Sequence, residues 1–407
     1  MSSFNKNNIT IRDIEVITAN LTGKNITMVK VLTSEPELYG LGCATFAYRN
    51  RAVEVYIKEY LAPLVIGRDV DNIEDLWHLM NTNGYWRNGP VSNNAISGID
   101  MALWDIKGKI AGLPVYSLLG GKSRQGLPVY RHCDADTLPE ILENIQMYKE
   151  QGFNHFRIQL GVYGGKPENL NIPPNSFPGD YFSTDQYMND TIQLFDDVRS
   201  KLGYDVQLLH DSHERLTPIQ AVDFAKRLEP YRLFFLEDIL SPEQGEWYKT
   251  LRSQVSTPIA AGELFNNPKE WDFLIVNRLI DYVRIHVSQI GGLTPARKLA
   301  IFAEQFGIRT AWHGPSDASP VGHAVNAHLG IVSHNTGIQE WSRPLDSDLL
   351  QEAFPGMPYT KNGYLYVNEK PGLGLELNMD ILKKYPEKHQ VPLWTQTRHV
   401  DGTSCTP

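Results

Sequence analysis

Six polar residues close six apolar runs along the second half of the chain. Asp211 ends VQLLHD, Glu237 follows LFFL, and Glu263 ends TPIAAGE. Arg284 follows DYV, His313 ends IRTAWH, and Glu340 ends TGIQE. The successive gaps are 26, 26, 21, 29 and 27 residues. A short buried strand, a helix and two loops take about two dozen residues in a parallel βαβ unit. Each polar residue is therefore expected at the C-terminal end of one strand of a (β/α) barrel, where strand ends share one active-site face. One acid at such a place is more simply a helix N-terminal residue. Three in succession, at one interval, are a divalent-metal set, because carboxylate oxygens are the hard donors that magnesium prefers.

Neighbours of the trio are read by strand geometry. Asp238 competes with Glu237, but adjacent strand residues point to opposite faces, so only one is expected in the site. His213 lies two residues past Asp211. In extended backbone it would share that residue's face and reach the same substrate. His210 would face the other way, into the structure. Arg157, in NHFRIQL, stays protonated at any working pH and suits carboxylates or the lowering of a neighbour's pKa.

The elements that position these residues follow from patterning. Residues 9–46 read as three strands of an antiparallel meander. In NAISGIDMALWDIKGKIAG, Ile96, Ile99, Leu103, Ile106 and Ile110 step by three and four, the stripe of an amphipathic helix, with Gly112 as its stop. Residues 1–125 thus form a small α+β domain. From about 126 the pattern alternates strand and helix. The strand candidates are 127–132, 154–160, 206–211, 233–238, 257–263, 281–286, 308–313 and 336–340, which is the barrel count. The barrel is assigned to 126–345. The segment 346–407 has no further βα unit and is expected to return to the small domain. The connection 161–205, rich in Gly, Pro and Asn at its start, is long enough for a lid or binding loop. A plain surface insertion is its alternative.

Composition sets outer bounds. At 407 residues, 42% hydrophobic and 21% charged, the chain has globular character. A net charge of −9 and the lack of a basic run argue against a nucleic-acid surface. No apolar run reaches membrane-spanning length, and the N-terminus has no signal-like apolar core. Cys43, Cys133 and Cys405 are few and scattered, which leads to the expectation of a cytoplasmic protein. GGKS at 120–123 and GLGLEL at 372–377 fail as phosphate and dinucleotide loops because they lack the required glycines.

AISGIDMALWDIKGKIAGLPVYSLLGG at 95–121, with the ordered Asp211, Glu237 and Glu263, resembles the enolase superfamily in its mandelate racemase/muconate lactonizing branch. HDSHER, LFFLED, AAGELFN, DYVRIHVSQIGGLT, HGPSDASPV and GIQEW look like the D-mannonate dehydratase subgroup, whose members include galactonate-dehydratase-like and starvation-sensing proteins. The resemblance implies an α/β fold: a modified (β/α) TIM barrel with an N-terminal α+β capping domain completed by the C-terminal segment. It implies Mg²⁺ held by Asp211, Glu237 and Glu263, and so selects Glu237 over Asp238. It makes His213 the proton donor to a departing hydroxyl and Arg157 the partner of a loop tyrosine that removes the α-proton. It places His132, His213, Glu263, Arg284, His313, Asp317 and Glu340 on an acid-sugar substrate. Arg284 stands where racemases carry the aspartate of a His-Asp dyad, so His313 is no racemase base. Symmetric homo-oligomers are also expected.

The chain departs from the subgroup in places. Asn169 lies near the expected tyrosine position, and Tyr163 and Tyr181 are the nearest tyrosines. Ala47 replaces a substrate-binding asparagine, and DGTSCTP lacks a closing tryptophan, with Trp394 upstream. Three functions are thereby set against one another. They are a Mg²⁺-dependent dehydratase forming a 2-keto-3-deoxy acid from an aldonate such as D-mannonate or D-gluconate, an enzyme for another acid sugar, and a metal-loaded acid-sugar binder without turnover.

Overall fold

The computed structural model describes residues 8–161, 170–389, 391 and 393–406. It divides into two compact units. One holds the chain up to Pro128, Leu264–Lys269 and Ile285–His389, and the other holds Val129–Glu263, Glu270–Arg284 and the chain from Gln390.

In the first unit, β1 (Ile11–Ala19), β2 (Ile26–Thr33) and β3 (Tyr39–Cys43) form the expected antiparallel meander. It packs on the helix Pro90–Ala111, which Gly112 ends in the left-handed conformation at φ 70. Strand and helix approach closely because β3 reads YGLGC. A Cβ on Gly40 would lie 1.9 Å from the Ala102 carbonyl oxygen, and one on Gly42 1.9 Å from that of Gly98. No side chain fits there.

The helix also carries a buried acid. Asp100 accepts from the Thr294 hydroxyl (2.5 Å) and backbone N–H (3.0 Å), while Trp104 Nε1 donates to the same hydroxyl (2.9 Å). Burial pushes the Asp100 carboxyl up to about 7, against the lowering effect of the Thr294 hydrogen bonds. A raised folded pKa means that the folded state holds the proton more tightly. Its stabilising contribution is complete below about pH 4 and is lost as the pH rises to about 7, by a few kcal/mol in all. Asp100→Asn should remove this dependence. Thermal unfolding at pH 5 and pH 8 should show the variant gaining on the unmodified protein at the higher pH. Parallel curves at both pH values would refute it.

In the second unit the strands are short and parallel. β4 (Leu127–His132), β5 (His155–Arg157), β7 (Gln207–Asp211), β8 (Phe235–Glu237), β9 (Ile259–Ala261) and β10 (Tyr282–Val283) lie side by side in that order. β6 (Tyr181–Phe182) stands apart from them. Backbone hydrogen bonds continue one step past the ladders, as from Ser212 N–H to Glu237 and from Asp238 N–H to Ala260. The strands are therefore shorter than their apolar runs because the backbone turns at the ends, not because pairing fails. Helices fill the intervals and begin where capping predicts. Thr137 and Glu140 form a reciprocal capping box on Leu138–Glu150.

The first unit resumes with β11 (Arg309–Thr310), β12 (Gln339–Glu340) and the hairpin β13 (Tyr359–Lys361) and β14 (Tyr364–Tyr366). All eight strands expected between 127 and 340 are thus present. From Ile285 to His389 the chain lies in the first unit, where Leu373 N–H donates to Asp105 (2.6 Å) and Asn25 Nδ2 donates to the Lys388 carbonyl (2.8 Å). Beyond that, β15 (Arg398–His399) belongs to the second unit and pairs in parallel with β6. A two-residue pairing carries no periodicity that a sequence reading could detect. Among the described residues no helix is long and apolar enough to cross a membrane.

Candidate active site

Register brings the first acids together. β7 and β8 pair Asp211 with Glu237 directly, at the last residue of each strand. Oxygens of Asp211, Glu237 and Asp238 lie within 4.8 Å of one another, and all three residues are buried. The alternation rule, which admitted only one of Glu237 and Asp238, is therefore corrected. β8 stops at Glu237, and Asp238 adopts φ 40, so the extended geometry behind the rule has already ended. Asp238 Oδ1 is held by the Gly262 N–H (2.8 Å).

Glu263 joins through charge partners. Arg284 Nη1 contacts Glu263 Oε2 (2.5 Å) and Asp238 Oδ2 (3.2 Å), and Nη2 contacts Glu237 Oε1 (2.8 Å). Arg157 takes the other side: Nη1 lies 3.0 Å from Asp211 Oδ2 and 3.5 Å from Glu237 Oε1. Its Nη2 reaches Asp134 Oδ2 (3.0 Å) and His132 Nδ1 (3.1 Å). Five carboxylates, Asp134 among them, thus surround two guanidiniums, an excess of negative charge that a divalent cation would neutralise. Burial first, and then Glu263, push the Asp238 carboxyl well above the usual range, with Arg284 opposing. The donors are all oxygen and are supplied from neighbouring strand ends, so the residues fit magnesium.

His213 meets Glu263, with Nε2 3.4 Å from Oε1, while its backbone N–H donates to Asp211 Oδ1 (2.9 Å). The route differs from the expected one. His213 and Glu214 take φ 51 and 55, so a left-handed turn, not an extended strand, delivers the ring. His210 lies in the core, as its phase predicts, between Tyr187 Oη (2.7 Å) and the Ile158 carbonyl (3.0 Å).

Two residues here escaped the sequence reading. Tyr130 Oη donates to Glu237 Oε2 (3.1 Å) and accepts from Arg284 Nε (3.2 Å). It sits two residues before His132 on β4, and that spacing was a usable signal. Glu214 is buried, and its carboxyl is pushed well up by burial and then by Asp238, Glu263 and Asp211. It lies in the left-handed turn, where no period applies.

The first unit gathers a separate group. His313 Nε2 lies 3.4 Å from Asp317 Oδ1, and its Nδ1 is 4.0 Å from Glu340 Oε2. Glu340 Oε2 accepts from the Gly314 N–H (2.7 Å). His286 packs against His313 with ring centroids 4.9 Å apart. Burial acts to raise the Asp317 carboxyl, but Lys24 and His313 outweigh it and hold the group below the usual range. The loop carrying Asp317 ends at Ser319, whose hydroxyl caps Pro320–Val332. His323 is a core residue held neutral by burial, with its pKa pushed down to about 4, and His334 is exposed. Tyr181 donates its hydroxyl to the Phe177 carbonyl (2.6 Å). Tyr163, Asn169 and the side chain of Trp394 lie outside the described residues.

Residues 5–120 match the mandelate racemase/muconate lactonizing enzyme N-terminal domain, and residues 140–381 match the enolase C-terminal domain-like family. The chain belongs to the enolase superfamily. Its fold is accordingly that superfamily's N-terminal capping domain followed by a (β/α) barrel domain. Among enolase superfamily members it is 51% identical to the D-galactonate dehydratase family member RspA of Pantoea ananatis, over 98% of this chain and 100% of that one. It is 49% identical to a D-galactonate dehydratase family member of Musicola paradisiaca, over 98% and 99%. It therefore belongs to the D-galactonate dehydratase family. A crystal structure of an enolase from Pantoea ananatis with bound D-gluconate and magnesium matches it with a TM-score of 0.95 and 50% identity, covering 98% of this chain and all of that one. A superfamily member from Salmonella Typhimurium matches at 0.83 and 25% identity, over 93% and 98%.

Proposed function

We propose that the protein is a Mg²⁺-dependent dehydratase of the D-mannonate dehydratase subgroup, converting an aldonate such as D-mannonate or D-gluconate to its 2-keto-3-deoxy acid. The observation that carries this reading is the in-register pair Asp211 and Glu237, joined by Arg284 to Glu263, with the His213 ring on that third carboxylate. The Pantoea structure, which holds D-gluconate and magnesium, supports the ligand class.

Asp211, Glu237 and Glu263 would hold the metal, with Asp238 kept close by Arg284 and Gly262. Bound magnesium supplies Lewis-acid stabilisation of the negative charge that develops on the substrate carboxylate. The chain's own residues do the rest. The C2 proton leaves to a base, the C3–O bond breaks, and a proton from His213 makes the departing hydroxyl water. The resulting enol ketonises to the 2-keto acid. Glu263 orients the His213 ring for this transfer. Arg157 remains a fixed positive charge beside His132 and Asp211. His132, Arg284, His313, Asp317 and Glu340 are assigned to the substrate's carboxylate and hydroxyls, because buried hydroxyls need partners. We also place the protein in the cytoplasm as a homo-oligomer. The former rests on three free cysteines, two of them buried.

The deciding assay supplies D-mannonate and D-gluconate with magnesium and detects 2-keto-3-deoxygluconate, beside a Glu263→Gln control. Product from the unmodified protein alone is expected. Absence of product with magnesium and D-gluconate still bound would favour the silent binder, a reading motivated by the lack of a tyrosine at the position near Asn169 where the subgroup carries one.

A further inference from the structure

We propose that Asp134 is the general base of the dehydration, its carboxylate taking the C2 proton of the acid sugar. The proposal rests on the acid-sugar reading above and fills the one role that reading leaves unassigned.

The backbone carries Asp134 to the site. Pairing continues past the ends of β4 and β5: the Cys133 N–H donates to the Arg157 carbonyl (2.8 Å), the Ala135 N–H donates to the Gln159 carbonyl (3.2 Å), and Ala135 bridges Leu160. His132 pairs with Arg157, so two residues further on Asp134 stands opposite Gln159. In extended backbone each keeps the face of the residue two before it. The side chains agree, since Arg157 Nη2 reaches both His132 Nδ1 (3.1 Å) and Asp134 Oδ2 (3.0 Å). Sequence reading closed this strand at His132 and so passed over an acid one step beyond it.

Exposure separates Asp134 from the other acids of the cluster. Its side chain is 29% exposed, against 1% for Asp211, 0% for Glu237, 1% for Asp238 and 10% for Glu263. Of these five carboxylates it is the one that open space reaches most. Arg157 holds Oδ2, and Oδ1 has no hydrogen-bond partner. Opposite it, Gln159 is 2% exposed, and neither atom of its amide has a partner. Buried polar groups are ordinarily paired. A polyhydroxylated ligand seated against Asp134 would supply what both lack. Arg157 ties Asp134 to the cluster at Asp211, while His213 meets the cluster at Glu263. Base and proton donor are thus anchored on different acids of the trio, as an elimination between adjacent carbons requires. The C2–H bond breaks and its proton forms an O–H on Asp134. The electron pair becomes the C2–C3 double bond, and the hydroxyl leaves C3 with the proton of His213.

The test reads proton removal apart from elimination. The full chain, with magnesium in D₂O, is given 3-deoxygluconate, which has no C3 hydroxyl to lose, and deuterium at C2 is followed by NMR. The unmodified protein should exchange that hydrogen. Asp134→Asn keeps an oxygen for Arg157 but cannot hold the proton. Its exchange should be slower by at least about a hundred-fold, the lower end of what a positioned base contributes, with calorimetric binding of magnesium and D-gluconate retained. Asp134→Ala should recover part of the exchange when formate is added, because the small acid restores a carboxylate where the side chain was removed. An Asn variant that exchanges C2 as fast as the unmodified protein would overturn the proposal while leaving the dehydratase reading intact. Unmodified protein that exchanges nothing and forms no 2-keto-3-deoxygluconate would overturn both.

Discussion

Asp211→Asn is expected to abolish magnesium binding and turnover together while leaving the chain folded. Asp211 is 1% exposed, and both its oxygens are committed. Oδ2 takes the Arg157 guanidinium and Oδ1 the His213 backbone N–H. Asparagine has the same shape but loses the charge and turns one oxygen into an N–H donor. The cation site then has one anion fewer, and either Arg157 or the His213 amide faces a donor. Replacing groups that merely orient a ligand typically costs 10- to 100-fold in metal affinity. Loss of the ligand itself should exceed that, by roughly another order of magnitude. Magnesium titration by calorimetry and the product assay should fall in parallel. Magnesium bound at unchanged affinity would show that the strand-end carboxylates are not its ligands.

Arg284→Met carries the largest expected effect on stability. The guanidinium is 1% exposed and touches Glu237, Asp238, Glu263 and the Tyr130 hydroxyl. Removing it leaves three carboxylates near one another with a buried counter-charge gone. Breaking such a buried pair from one side costs about 3–5 kcal/mol. The unfolding free energy from denaturant titration at neutral pH should drop by that amount, lowering the midpoint, and a lower pH should recover part of it as the carboxylates take up protons. Arg284→Lys should repair little, because a point ammonium cannot span three carboxylates as a planar fork does. An unchanged midpoint in Arg284→Met would mean that the cluster's charge is balanced by groups other than this arginine.

These two residues illustrate what a linear reading can and cannot reach. Asp211 and Arg284 were visible because each ends an apolar run in a series of runs at barrel spacing. The partners that give them their effects were not. Tyr130 lies about eighty residues before Asp211 in the chain and about a hundred and fifty before Arg284, and only the parallel stacking of β4 through β10 puts its hydroxyl between Glu237 and Arg284. Asp238 was set aside by a rule that holds inside a strand and fails one residue past its end.

The sequence by itself determined the units of the fold. Apolar runs of strand length separated by amphipathic helices, a meander at the start and a helix stopped by Gly112 are local patterns, and local hydrogen bonding and burial enforce them wherever the chain goes. It also determined which residue types end the strands. Tertiary structure alone decided the rest. The left-handed turns at His213, Glu214 and Asp238 re-aim side chains that period-two reasoning would send elsewhere. The pairing of Arg398–His399 with Tyr181–Phe182 and the hydrogen bond from the Ser288 N–H to His286 Nδ1 are likewise two-residue events. Contacts of that size leave no periodic trace in a sequence. They form because the larger elements have already brought their backbones within hydrogen-bond reach.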